Sequence, residues 1–148
     1  MEISMFLIVF GILMPWGFSS YAQGRDWVCF DPQKEVKECT TFYDKNAVKD
    51  LSDDLLGVWV KALVTEKEKK DYLDNRIKGG KSKKGYDQLA YALFEFDMNC
   101  QDKQYRVLSQ GDYDENDVRL EANIFPFAGW LKMDAYTEPL FGRLCPSK

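Results

Sequence analysis

The sequence predicts an α+β domain at residues 23–148: an antiparallel sheet of about five or six strands, a charged helix-loop excursion and a short C-terminal helix. Three observations predict it. Runs of alternating apolar residues recur at 55–64, 86–98, 103–110 and 118–124, the period of half-buried strands. One segment, 65–77, breaks that period with a dense run of charge. An even number of cysteines follows an uncharged apolar leader, the pattern of an exported, disulfide-bonded chain.

The leader comes first. Residues 5–17 carry no charge and are almost wholly apolar. As a helix they would span roughly 20 Å at about 1.5 Å per residue, short of the ~30 Å hydrocarbon core. That length suits the apolar region of a secretion signal. Pro15 and Gly17 end it just before Ser20 and Ala22, small residues placed as at a signal-peptidase site, so residues 1–22 are read as a cleavable secretion signal. Ala22 and Gly24 offer a second cut two residues later. The start is atypical in carrying Glu2 and no basic side chain, and an uncleaved anchor is the alternative. After cleavage no stable membrane span is expected, and no cysteine lies near the cut to take a lipid.

Beyond the leader, 26–30 and 38–43 are β-rich runs separated by a polar stretch with Pro32, and read as two short strands. Asp44 is placed to cap a single helical turn, and 52–54 is a turn. The run 55–64 is a strand with Val58, Val60, Ala62 and Val64 toward the core and Trp59, Lys61 and Leu63 on the other face. Thr65 and Glu68 match a capping box. The helix they open has only a thin apolar edge of Tyr72, Leu73, Arg76 and Ile77, so it should face solvent. A basic loop with glycines at both ends follows at 78–85.

The run 86–98 is a long central strand, with Ala90, Ala92, Phe94, Phe96 and Met98 on one face. Residues 103–110 return beside it, the acidic stretch 112–117 turns the chain, and 118–124 completes a meander. Val118, Leu120, Ala122 and Ile124 are expected inward. Residues 125–133 are too irregular for a strand and are expected to pack aromatics over the sheet. At 137–145 a short helix is expected, with Thr137 as N-cap and Pro139 in the first turn. Its Leu140 and Leu144, four apart, would face the sheet.

Composition removes several classes of function. The chain has 20 basic and 24 acidic residues, against the basic face of a general nucleic-acid binder. It contains no histidine, which excludes Ser-His-Asp and Cys-His catalysis and His-ligated zinc. The cysteines, Cys29, Cys39, Cys100 and Cys145, include no CxxC pair, so a four-cysteine zinc site is not expected. Of three possible connectivities, the element order favours Cys29–Cys39, closing the loop between the first two strands, and Cys100–Cys145, tying a hairpin to the C-terminus.

Candidate sites are few. Between residues 61 and 84 nine basic side chains stand against four acidic ones. Lys67, Lys69, Lys70, Arg76, Lys78, Lys81, Lys83 and Lys84 form a candidate patch for a polyanion, with a solvated face as the plainer reading. Asp112, Asp114 and Asn116 alternate as in a calcium loop, but the glycine and distal glutamate of an EF-hand are missing, and a polar hairpin turn is expected. Glu95 and Asp97 share a strand face, where a surface ion pair with Arg106 is favoured over a general acid/base pair. Trp27, Trp59 and Trp130 are expected in the core. No catalytic residue, metal site or cofactor is assigned.

The order of Trp27, Phe42 with Tyr43 and Asp44, Val58 to Lys61, Leu93 to Asp97 with Cys100, Tyr105 to Leu108, Trp130, and Leu144 with Cys145 resembles the surface-adhesin protein E-like domain of bacterial envelope proteins. The likeness runs over most of the chain beyond the leader. It implies an antiparallel sheet with helical cover, a periplasmic or cell-surface location, and binding to host matrix and plasma proteins. Haem capture, also associated with the adhesin, would lack histidine ligands here. The expectation is therefore a noncatalytic envelope binding module with a protein partner. A structural or assembly factor of the envelope, acting through its sheet edge, is the alternative.

Overall fold

The computed structural model describes residues 24–145, so the leader and its cleavage site lie outside the described residues. The elements are β1 (Trp27–Cys29), β2 (Thr41–Asp44), β3 (Lys49–Ser52), β4 (Leu55–Leu63), α1 (Glu66–Lys78), β5 (Leu89–Asn99), β6 (Gln104–Asp114), β7 (Arg119–Ile124), β8 (Leu131–Lys132) and α2 (Glu138–Leu144). Every strand pairing is antiparallel, and the strands form one sheet in the order β1-β2-β4-β5-β6-β7. The expected α+β class holds, but the sheet has eight strands, not five or six. The additional two are short: β3 runs beside the start of β4, and β8 beside the start of β6. Neither has a run long enough to alternate visibly.

Side-chain alternation in β4 and β5 divides the sheet into two unlike faces. Val58, Val60, Phe96 and Met98 meet across the strands and form the core with Phe30 and Tyr43, joined by Tyr105 and Val107 of β6. Helix α2 lies on this face and closes it with Leu140 and Phe141, both buried. The disulfide Cys100–Cys145 joins the β5–β6 turn to the end of α2. A second, Cys29–Cys39, closes the loop between β1 and β2. Both pairings are the favoured ones.

Local chemistry sets the helix ends. Thr65 and Glu68 form the reciprocal capping box, which holds the Glu68 carboxyl below its ordinary range through the Thr65 backbone N–H. Asp44 accepts the Asn46 N–H and starts a 3-10 turn, as expected. At α2, Thr137 is the N-cap and Pro139 lies in the first turn, as expected, but the cap is of another kind. The Thr137 side chain makes no cap bond to the helix; it is buried and donates to Asp134 Oδ1 at 2.9 Å. That carboxylate also accepts the N–H groups of Tyr136 and Thr137 and is held low by them.

Three further expectations are revised by bulges and turns. Residues 86–88 form a 3-10 turn, entered through Gly85 at φ +80°, and the strand begins only at Leu89. In the β6–β7 pairing a register shift falls at Leu120. It turns Glu121 and Asn123 toward the helix-bearing face and Ala122 and Ile124 away from it, since one residue of slip exchanges the faces. Residues 125–130 do not blanket the sheet: Phe127 is 97% exposed, and Trp130 stands at its margin, 39% exposed.

Leu140→Ala should cost about 2–5 kcal/mol by opening a cavity under α2, whereas Phe127→Ser should change stability by less than about 0.5 kcal/mol. Urea unfolding of both variants checks the pair, and comparable losses would contradict the assignment of faces.

Candidate functional site

Two places concentrate chemistry, one on each side of the sheet. The first is the face that no helix of the described residues covers. Pairing sets Trp59 opposite Glu95 and Lys61 opposite Leu93 on β4 and β5, then Leu93 opposite Gly111 and Tyr91 opposite Tyr113 on β5 and β6. Leu93 is the buried floor of two adjoining clefts. One, of 340 Å³, is lined by Arg25, Trp27, Lys61, Tyr91, Leu93, Tyr113 and Asp117. The other, of 390 Å³, runs from Trp59 and Glu95 to Ile124 and Phe125. Leu93 and Tyr113 line both, so the clefts form one trough across the sheet.

Cations stand on the aromatic rings of this trough. Lys61 Nζ lies 3.9 Å from the Tyr91 ring centre and 5.8 Å from that of Trp27. Arg25 lies 5.6 Å from Trp27 and 6.0 Å from Trp59. These distances are within the range of cation–π attraction. Tyr91 and Tyr113 stack with centroids 5.1 Å apart, and the Tyr91 hydroxyl donates to Asp117 Oδ1 at 2.7 Å. Burial and then that carboxylate keep the Tyr91 phenol protonated well above its ordinary range. Gly111 makes room: a Cβ there would lie 2.9 Å from the Tyr113 ring. Farther along the face, Arg106 pairs with Asp97 at 2.6 Å and lies over Trp130; the ion pair is the expected one, but its carboxylate is buried and not at the surface. Glu95 accepts instead from Ser109.

The second place is a polar cluster between α1 and the far end of the sheet. Tyr86 OH lies 2.9 Å from both Asp112 Oδ2 and Glu121 Oε2. Tyr72 reaches Asp112 at 3.2 Å, and Gln110 donates to Tyr72 and to Asp112. Arg76 pairs with Glu121 while its guanidinium lies 3.7 Å above the Tyr86 ring. Burial, then the two carboxylates, raise the Tyr86 phenol far above its ordinary range. The Arg76 hydrogen bond, followed by that of Tyr86, lowers the Glu121 carboxyl. A single phenolic hydrogen between two carboxylates serves one at a time, so the cluster reads as a buried strut with its bonds shared.

Of the eight residues of the candidate polyanion patch, three have carboxylate partners. Arg76 faces inward; Lys69 pairs with Glu66 at 2.8 Å; Lys81 reaches Glu121 at 3.6 Å. Lys67, Lys70, Lys78, Lys83 and Lys84 are exposed on α1 and the loop after it. The turn expected over 112–117 is shorter, because 112–114 belong to β6: Asp114 accepts the N–H groups of Asn116 and Val118, while Asp112 is buried and serves the strut. Trp27 and Trp59 are half-buried on the open face, so the expected core placement is corrected for both. Sequence reading missed Arg25, Tyr91, Tyr113 and Asp117 as neighbours. The signal within reach was the second face of β4 and β5, where Trp59, Lys61 and Tyr91 already alternate with core residues.

Comparison with protein-family models, curated proteins and solved structures finds no match. No helix among the described residues is long and apolar enough to cross a membrane.

The lowered Glu121 carboxyl has a pH signature. Its folded form releases its proton more readily than the unfolded form, whose ordinary value is 4.5. Between the two values the unfolded chain binds more protons, so this contribution is present above that window and lost as pH falls through it. Glu121→Gln should therefore lower Tm near neutral pH and flatten the loss of Tm below about pH 4.5. Melts from pH 7 to pH 3 check this, and an unchanged acid slope would contradict it.

Proposed function

We propose that this protein is an exported, noncatalytic binding module of the bacterial envelope that engages a protein partner through the open face of its sheet. The observation that carries the reading is the trough itself. Trp27, Trp59, Tyr91 and Tyr113 line it, with Arg25 and Lys61 held on their rings. Trp, Tyr and Arg are the residues that most often dominate protein interfaces. Rigid rings offer contact area at small entropic cost, and the cations select against basic partners.

Export draws on the leader and on the two disulfides, which persist in oxidising compartments. The likeness to the surface-adhesin E-like domain rests on sequence motifs alone, and it directs the choice of partner toward host matrix and plasma proteins. An envelope assembly factor is the second reading. It draws on the outer edge of β7, which ends the order of the sheet and offers backbone groups to a partner strand.

The oxidised protein should capture a discrete partner from matrix-protein or envelope fractions. Trp59→Ala combined with Lys61→Glu should weaken capture at least about tenfold, in keeping with a hot-spot pair, while the melting temperature stays within a few degrees. A Pro substituted for Ala122, whose N–H points to the free edge because those of Asn123 and Phe125 turn toward β6, tests the second reading: loss of capture there, with normal capture by the Trp59 and Lys61 double variant, favours edge pairing. Capture unaffected by the trough variant, or turnover on a broad substrate panel, would contradict the proposal.

A further inference from the structure

Residues 124–131 form an uninterrupted apolar stretch with no charged side chain, and the tryptophan indole is its sole side-chain hydrogen-bonding group. They join β7 to β8, and both of those strands pair with β6, so the stretch is fixed at its two ends. Phe125 N–H donates to Leu108 and Ala128 N–H to Phe125, which shape it into a held turn. At that turn Phe127 is 97% exposed, and Ile124, on the open face where β7 ends, is 79% exposed. Contiguous exposed apolar surface of this kind marks an interaction site.

Positive charge borders it. Phe125 lines a cleft of 410 Å³ together with Gly79 and Lys81, so the basic loop after α1 begins beside the apolar turn. Lys78, Lys83 and Lys84 extend that loop and are exposed. Arg119 lines the trough wall with Phe125, and Lys132 follows Leu131 directly. Arg106 lies 4.7 Å from the Trp130 ring centre.

Shape and charge together select the occupant. A protein anchor residue usually sits amid contacts that seal it from water, whereas Phe127 projects from its turn almost fully bare. Aromatic side chains at a tip, an amphipathic tryptophan behind them and a polybasic loop alongside are the two weak signals that jointly hold a protein on a charged bilayer. We propose that this edge of the domain docks on the surface of an anionic lipid bilayer. Phe127 and Ile124 enter the acyl boundary, Trp130 sits at headgroup level, and Lys81, Lys83 and Lys84 meet the lipid phosphates. This edge adjoins the trough at Ile124, while Lys61 and Tyr91 line the other cleft.

The test is co-sedimentation of the purified, oxidised protein with vesicles of phosphatidylethanolamine and phosphatidylglycerol, against neutral phosphatidylcholine vesicles, at low and high salt. Binding is expected to the anionic vesicles, with tryptophan fluorescence quenched by brominated acyl chains. Phe127→Ser should reduce binding at least about tenfold, since it removes the inserted side chain. Lys81→Glu with Lys83→Glu and Lys84→Glu should abolish the preference for anionic lipid. Melting curves control for folding, and Trp130→Ala should remove most of the quenching. Absence of vesicle binding by the parent protein would overturn the proposal. So would binding indifferent to Phe127→Ser, which is electrostatic adhesion alone, or Phe127-dependent capture of a protein without vesicle binding.

Discussion

One sheet with helices on a single side is the constraint from which the rest of the structure follows. Burying Val58, Val60, Phe96 and Met98 requires an apolar lid, and α2 supplies it with Leu140 and Phe141. At seven residues α2 is too short to be stable by itself. It is held by packing, by the Asp134 carboxylate at its start and by the Cys100–Cys145 bond at its end. That disulfide restricts the unfolded chain over a separation of 45 residues, worth roughly 3–5 kcal/mol in the entropic description. Helix α1 adds cover at the far end of the same side through the Tyr72, Tyr86 and Asp112 strut.

The opposite face is then left to side chains alone. Leu93 is buried there by its aromatic neighbours. Placing cations on those rings keeps the face hydrated while retaining large apolar area. A face built this way is stable without a lid and available to a partner. The apolar turn of residues 124–131 lies at the margin of the same face, where β7 ends beside the loop after α1. The proposed partner site therefore arises where no helix of the described residues covers the sheet, and the proposed membrane edge where β7 meets the loop after α1.

Much of this was legible in the sequence, in proportion to how local the signal is. The alternation of β4, the Thr65–Glu68 box and the Asp44 turn depend on neighbours a few residues away and are found as expected, while β5 and β6 are found with shifted ends. The disulfides follow from element order. What was hidden depends on partners distant in the chain. Strands β3 and β8 exist because β4 and β6 have spare edge length. The bulge at Leu120 exchanges the faces of β7, and nothing in its alternating residues announces that. Arg76 reads as part of a basic patch until Glu121, 45 residues later, is seen beside it. The tryptophans read as core because their size favours burial, whereas the sheet has only one buried face to offer.

The most direct measurement is hydroxyl-radical footprinting of the native, oxidised protein, resolved by residue. Trp27, Trp59, Tyr91 and Phe127 should be modified several-fold faster than Tyr43, Phe96 and Phe141, in keeping with one covered and one open face. Equal protection of Trp59 and Tyr91 with Phe96 and Phe141 would mean that the second face is covered as well, and the account of a free binding face would fail.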